Sequence, residues 1–236
     1  PADPGDDPAR EMTPADYLES VTGDAVEDLV TVRTPRYEIT LAERGARVAS
    51  WHGLSYGDGE GGAVQLIPQG EASVPYGMDT VVFGTTDLEL GRKLFTAEGP
   101  SEIEFSEGTR SVTFRLRTAG DLEIRKIYTF DAETYAITLD LEVAPAGPQA
   151  AAARSVLGEP RQVRFGWPQG IASTEEGHDR FAKQAFRSFA MVGEDLETRN
   201  RSDLDDSVEE VEYFDQGLIN FAGIKNKYFT IVGLPR

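Results

Sequence analysis

From residue 29 onward, apolar and polar positions alternate with a period of two over short stretches, the mark of strands with one buried face. Residues 29–33 alternate weakly and are closed by Pro35. Tyr37, Ile39 and Leu41 then share one parity against Glu38 and Thr40, which predicts a half-buried strand. Glu43-Arg44-Gly45 predicts a turn, and residues 48–51 the strand after it. The glycine-rich run 57–62 reads as a loop, because it lacks the strand–loop–helix setting of a phosphate cradle. Short strands are predicted at 64–67, 80–83 and 103–105, the first two separated by Pro68, Gly70, Pro75 and Gly77.

The clearest unit is 111–143. Val112, Phe114 and Leu116 alternate with Ser111, Thr113, Arg115 and Arg117. After a turn at 118–121, Leu122, Ile124, Tyr128 and Phe130 take one face. A second turn at 131–134 leads to Tyr135, Ile137, Leu139, Leu141 and Val143, a third apolar face. The unit reads as a three-stranded antiparallel meander. Lys126 falls on the apolar parity of its strand. Either a bulge displaces it or a buried acid pairs with it, and the sequence leaves both open.

Beyond the meander, residues 145–153, rich in Ala and Pro, read as a surface excursion, and Val163, Phe165 and Trp167 as a strand stopped by Pro168. Residues 180–192 fit both periods: Phe181, Ala185 and Phe189 at helical spacing, Phe186, Ser188, Ala190 and Val192 at strand spacing. Residues 208–213 are a weak strand. The last stretch, 217–236, reads as one strand in which Gly223 marks a bulge. Its residues 229–232 are apolar at both parities, so both faces are expected to be covered and the strand to be central. Helix is confined to a short turn near 13–18, with Thr13 as N-cap and Pro14 at the first position. About ten to twelve short strands with turn signals throughout predict an all-β fold, a large antiparallel β-sandwich.

Charge refines this picture. The chain carries 41 acids against 23 Lys and Arg, a net charge of −18. Residues 1–28 and 194–215 each hold −8, leaving −2 for the rest. Such a chain is repelled by nucleic acid and by anionic lipid surfaces. There is no Cys, which removes disulfides, thiolate-bound zinc and thiol catalysis together. No apolar run reaches the roughly 18 residues that span a bilayer. Residues 1–27 are expected to form an acidic flexible linker and 28–236 the folded domain. The chain opens at Pro1 and stops at Arg236 directly after its final strand, so it is expected to be a domain cut from a longer protein.

The candidate chemistry is thin. His52 and His178 are the only histidines, and neither lies in a zinc-type spacing. Glu175, Glu176 and Asp179 crowd His178, an arrangement that can serve acid–base work on a sugar but that also describes a solvated acidic loop. Trp51 and Trp167 can stack on a sugar ring or a peptide, or simply fill a core. The acidic run 194–215 lacks calcium-loop spacing. Lys225 and Lys227 flank Asn226, their stems expected to cover apolar surface. No catalytic, cofactor-binding or metal-binding residue emerges, and no cofactor is expected.

Four segments carry a resemblance: Y-E-I-T-L-A-E-R-G-A-R-V-A-S-W (37–51), V-T-F-R-L-R with L-E-I-R-K-I-Y-T-F (112–130), F-G-W-P-Q-G-I (165–171) and G-I-K-N-K-Y-F-T-I-V-G-L-P (223–235). In order and spacing they resemble the large periplasmic domain of the YidC membrane protein insertases of Gram-negative bacteria. The resemblance runs from about residue 28 to the end, with G-I-K-N-K-Y-F its most specific part. It implies a β-supersandwich like that of galactose mutarotases, in the periplasm, between a first transmembrane helix and the insertase core. It also implies an accessory role through contacts with SecDF of the Sec translocon, roughly near 144–190, and with nascent membrane proteins. Phe221 departs from the Trp usual in the family, and the acidic 194–215 run is a second departure. The rival expectation is a mutarotase-like enzyme or sugar-binding module; the family motifs that carry its histidines have no counterpart around His52 or His178.

Overall fold

The computed structural model of the chain describes residues 12–21, 27–58, 61–68, 77–159, 162–167, 170–172, 186–200 and 218–235. Among the described residues strand accounts for 57% and helix for 6%, so the fold is all-β, in several antiparallel sheets, as the alternation predicts. In chain order the strands are β1 (Leu29–Arg33), β2 (Tyr37–Ala42), β3 (Arg47–Gly57), β4 (Ala63–Gln65), β5 (Asp79–Phe83) and β6 (Leu88–Glu89). Then come β7 (Thr96–Glu98), β8 (Glu102–Glu104), β9 (Thr109–Arg117), β10 (Leu122–Asp131) and β11 (Ile137–Pro145). A helix, α1 (Ala150–Leu157), precedes β12 (Gln162–Gly166), β13 (Arg187–Val192), β14 (Asp195–Asn200), β15 (Ile219–Lys225) and β16 (Thr230–Gly233). The chain divides into two compact units, Pro1–Ser55 with Pro75–Pro168, and Tyr56–Val74 with Gln169–Arg236.

In the first unit, β3, β2, β1 and β8 lie side by side; β1, β2 and β3 are antiparallel and β8 joins β1 in parallel. Tyr37, Ile39 and Leu41 are fully buried and face the same way as Val30 and Val32 across the register, so the parity read from sequence is the core face. Thr34 tightens the β1–β2 turn by accepting N–H bonds from Arg36 and Tyr37, each at 3.2 Å. The meander forms a second sheet in the order β11-β10-β9-β7, and a third runs β12-β5-β6. Tyr37 reaches the meander: its hydroxyl donates to the Asp131 carbonyl at 2.8 Å, and burial pushes its pKa up to about 12. Glu43 is the hidden joint of this unit. Its buried carboxylate accepts the Asp28 N–H at 3.2 Å and the Ala97 N–H at 2.8 Å, tying the approach to β1 to β7.

Two readings are corrected here. The stretch 145–153 is not simply an excursion, since α1 starts at Ala150 and buries Ala150, Ala153 and Leu157. Strong helix formers outweigh the prolines ahead of them, and Gly158 (φ 71°) ends the helix. The very short β6 and β7 leave no periodicity to read. Part of the expected flexible linker is anchored. Thr13 and Asp16 exchange backbone-to-side-chain bonds around a single 3₁₀ turn (Asp16–Leu18), with Leu18 buried. Tyr17 and Glu19 then accept N–H bonds from Gly120 and Ala119, and Val21 donates to Arg117.

In the second unit, four strands run β14-β13-β15-β16. Residues 187–192 take the strand alternative; the remaining part of the ambiguous segment through 185 lies outside the described residues, as do 208–213. The last stretch is two strands, not one, and among the described strands β16 is an edge with Val232 exposed, so residues 229–232 are not covered on both faces. Gly223 is not a bulge either. The irregularity falls between Met191 and Val192. A β-carbon at Gly223 would lie 2.5 Å from the Ile231 carbonyl oxygen and 2.6 Å from Phe189 Cζ, so glycine is required by close approach.

Candidate functional site

Strand β10 turns Leu122, Ile124, Lys126, Tyr128 and Phe130 to the core, and all five are buried. Its register with β9 and β11 is unbroken, so no bulge moves Lys126 aside. No acid pairs with it directly either. Its ammonium donates to the Gly45 carbonyl at 2.7 Å and to the Met78 carbonyl at 3.4 Å, and sits 5.9 Å from the Phe95 ring centroid. The bulge is absent, and an acid, Asp79, acts on the ammonium only through space while backbone carbonyls bond it. They point inward because the chain turns sharply beside them, with φ of 76° at Gly45, 44° at Ala46 and 67° at Met78. Tyr128 completes the corner, its hydroxyl donating to the Ala46 carbonyl at 2.6 Å. Burial pulls the Lys126 pKa down to about 7; Asp79 opposes this and Arg47 adds to it. Burial likewise pushes the Tyr128 phenol up. The arrangement is a structural pin with a soft proton, enclosed away from solvent.

The tryptophans are neighbours. Trp51 lies 6.4 Å from Trp167 and 6.3 Å from Tyr37, both edge to face, and Tyr37 lies 6.1 Å from Tyr135. Gly77 closes against Trp167, where an added β-carbon would sit 3.0 Å from the ring. These rings pack against one another from the buried Tyr37 out to the half-buried tryptophans and the exposed Tyr135. His52 faces Glu38 across β2 and β3 and is half-buried. His178, Glu175, Glu176 and Asp179 lie outside the described residues, as does the acidic run beyond residue 200. Among the described residues no group of three His, Cys, Asp or Glu is placed to hold a metal ion, and no helix is long and apolar enough to cross a membrane.

In the G-I-K-N-K-Y-F block the organising residue is Asn226, not the lysines. Its Oδ1 accepts the N–H bonds of Tyr228 (2.9 Å) and Phe229 (2.7 Å), and its Nδ2 donates to the Ala172 carbonyl at 3.0 Å. Asn226 is buried at the β15–β16 turn, Lys225 is half-buried, and Lys227 reaches over Tyr228 at 4.9 Å. Phe229 packs edge-on to Tyr56 at 5.4 Å. Asn226→Ala removes all three bonds and is expected to cost about 2–3 kcal/mol locally. Hydrogen exchange should show it as lost protection confined to β15 and β16; unchanged protection there would refute the assignment.

The comparison with known families rests on these same segments. The YidC periplasmic domain matches residues 29–236. The chain belongs to that family. A relative, the membrane protein insertase YidC of Prosthecochloris aestuarii (strain DSM 271 / SK 413), is 26% identical over 235 residues. The alignment covers 98% of this chain and 38% of the relative, so the chain spans well under half of that protein's length. This YidC domain is the periplasmic portion of an inner-membrane protein. Its family segments acquire physical meaning in the fold. Residues 37–51 supply the Gly45–Ala46 corner, 112–130 supply Lys126 and Tyr128 that hold it, and 223–235 supply the Asn226 turn. Sequence reasoning flagged Lys126 but missed Glu43 and Asn226, since both lie between strands, where there is no alternation for a buried polar residue to break.

Proposed function

We propose that this domain is a non-enzymatic accessory of a membrane protein insertase. It supports insertion and folding of membrane proteins through contacts with the Sec translocon, SecDF in particular, and with emerging substrates. The observation that carries this reading is the family match over residues 29–236, together with a relative named as an insertase. The interior supports it: the polar groups of Lys126, Tyr128, Glu43 and Asn226 are bonded to backbone atoms, which is framework rather than chemistry. Residues from 28 onward form the working domain and the preceding ones lead into it. The domain then acts through exposed strand edges and apolar patches.

Two measurements test this. His52→Ala, Glu176→Ala and His178→Ala together are expected to leave the parent insertase functional in cells; loss of function with a normally folded protein would show a reactive centre. Photo-crosslinkers placed across the domain surface in membranes should give adducts with SecDF. Absence of any such adduct, with the protein correctly assembled, would remove the translocon contact.

A further inference from the structure

Edges of β-sheets invite pairing, and natural sheets blunt them with short strands, charges, prolines or bulges. The described edges of this chain follow that rule, the nine-residue β11 with its two charges Asp140 and Glu142 least of all. β4, β7 and β8 are three residues long and β6 two; β12 and β16 have five and four. β14 carries Asp195, Glu197 and Arg199 along its six residues. β11 is different. It runs nine residues at the end of the sheet β11-β10-β9-β7, keeps unbroken register with β10 and has no Lys, no bulge and no Pro before Pro145.

Its burial shows what the edge lacks. Ile124 and Tyr128 of β10 are fully buried, yet their partners across the register, Val143 and Leu139, are only half-buried, as is Leu141 opposite Lys126. The apolar face of the sheet runs out of cover at β11. On the other face Asp140 and Glu142 are exposed, the latter 4.0 Å from Arg125.

We propose that β11 accepts an extended polypeptide by strand addition, the incoming strand alternating apolar residues toward Leu139, Leu141 and Val143 with basic residues toward Asp140 and Glu142. Resting on the accessory reading above, this names the site and the kind of segment it takes. Main-chain bonds give the affinity and the alternating side chains the selection. A second copy of the chain is the poorer occupant. Antiparallel self-pairing would bring the Asp140 and Glu142 carboxylates of two copies together, on molecules that each carry −18. A basic–apolar strand meets the same carboxylates with opposite charge.

The test uses the 236-residue chain and two synthetic decapeptides, one alternating Val with Lys and one identical but N-methylated at alternate backbone amides. The plain peptide should bind with sub-millimolar affinity, shift the β11 amide signals and protect them from exchange. The methylated peptide should lose about tenfold or more, because a strand without its N–H groups cannot extend a ladder. Asp140→Lys with Glu142→Lys should weaken the plain peptide by about tenfold, through two charge contacts turned repulsive, with an unchanged circular dichroism spectrum. Val143→Lys, a single edge charge on the apolar side, provides a second variant should the double one fold poorly. Equal binding of both peptides, binding indifferent to these substitutions, or no shift at β11 overturns the proposal. So does a concentration-dependent dimer in sedimentation that Asp140→Lys abolishes, which would give the edge to a second copy. The SecDF crosslinks are read in membranes, so strand addition and the accessory role can fail separately.

Discussion

Unfolding by urea is expected to become harder as pH rises from 7 to 9, by about 2 kcal/mol, because Lys126 binds its proton less tightly folded than unfolded. Its folded pKa is about 7, whereas an unperturbed lysine titrates near ~10.4. Between those values the unfolded chain holds a proton that the folded chain has released, and stability rises with pH wherever the unfolded state binds more protons. The gain levels off as the pH approaches ~10.4, where the unfolded chain also releases its proton, and is lost as the pH falls through 7, where the folded state carries the buried charge as well. Acids are ionised in both states across this window and add little slope. Lys126→Met keeps the volume and removes the titration. It should flatten the slope, whatever it does to absolute stability by stranding the Gly45 and Met78 carbonyls. An equal slope in the variant would mean that the proton is released elsewhere.

Gly45→Ala should be the most damaging single-methyl change at this corner, at roughly 3 kcal/mol. Gly45 has φ 76°, which costs an L-residue about 1–2 kcal/mol, and the new β-carbon would lie 2.6 Å from the Gly91 carbonyl oxygen. Gly108 is the natural control. Its φ is 68°, but nothing lies within 4 Å of a β-carbon there, so Gly108→Ala should cost only the conformational part. The difference between the two losses measures the crowding around the corner. If both variants unfold at the same urea concentration, the close approach to Gly91 has no energetic weight.

Much of the architecture was legible because period-two alternation reports directly on which face is buried. Tyr37, Ile39 and Leu41, and the β9–β10 pair of the meander, could be placed residue by residue. The reading weakened wherever burial and parity part company. At β11 a clean apolar face in sequence is half-covered in the fold, since alternation says which side faces the core but not how far the core extends. At 229–232 apolar residues of both parities suggested a central strand, and the chain makes an edge. Lys126 was visible as a break in pattern, yet its solution was not. Its acceptors belong to Gly45 and Met78, 81 and 48 residues away, and a backbone carbonyl leaves no trace in a sequence. The acid–histidine group around His178 remained outside the described residues, so the acid–base reading gained no geometry.

The anchored segment 13–21 has a mechanical consequence. A pull applied to the chain at Thr13 would not arrive first at β1. It is met by the hydrogen bonds that join Tyr17, Glu19 and Val21 to the β9–β10 hairpin, with Leu18 seated beneath them. Such a load therefore meets the anchor's hydrogen bonds before it meets the register of β1 with β2 and β8.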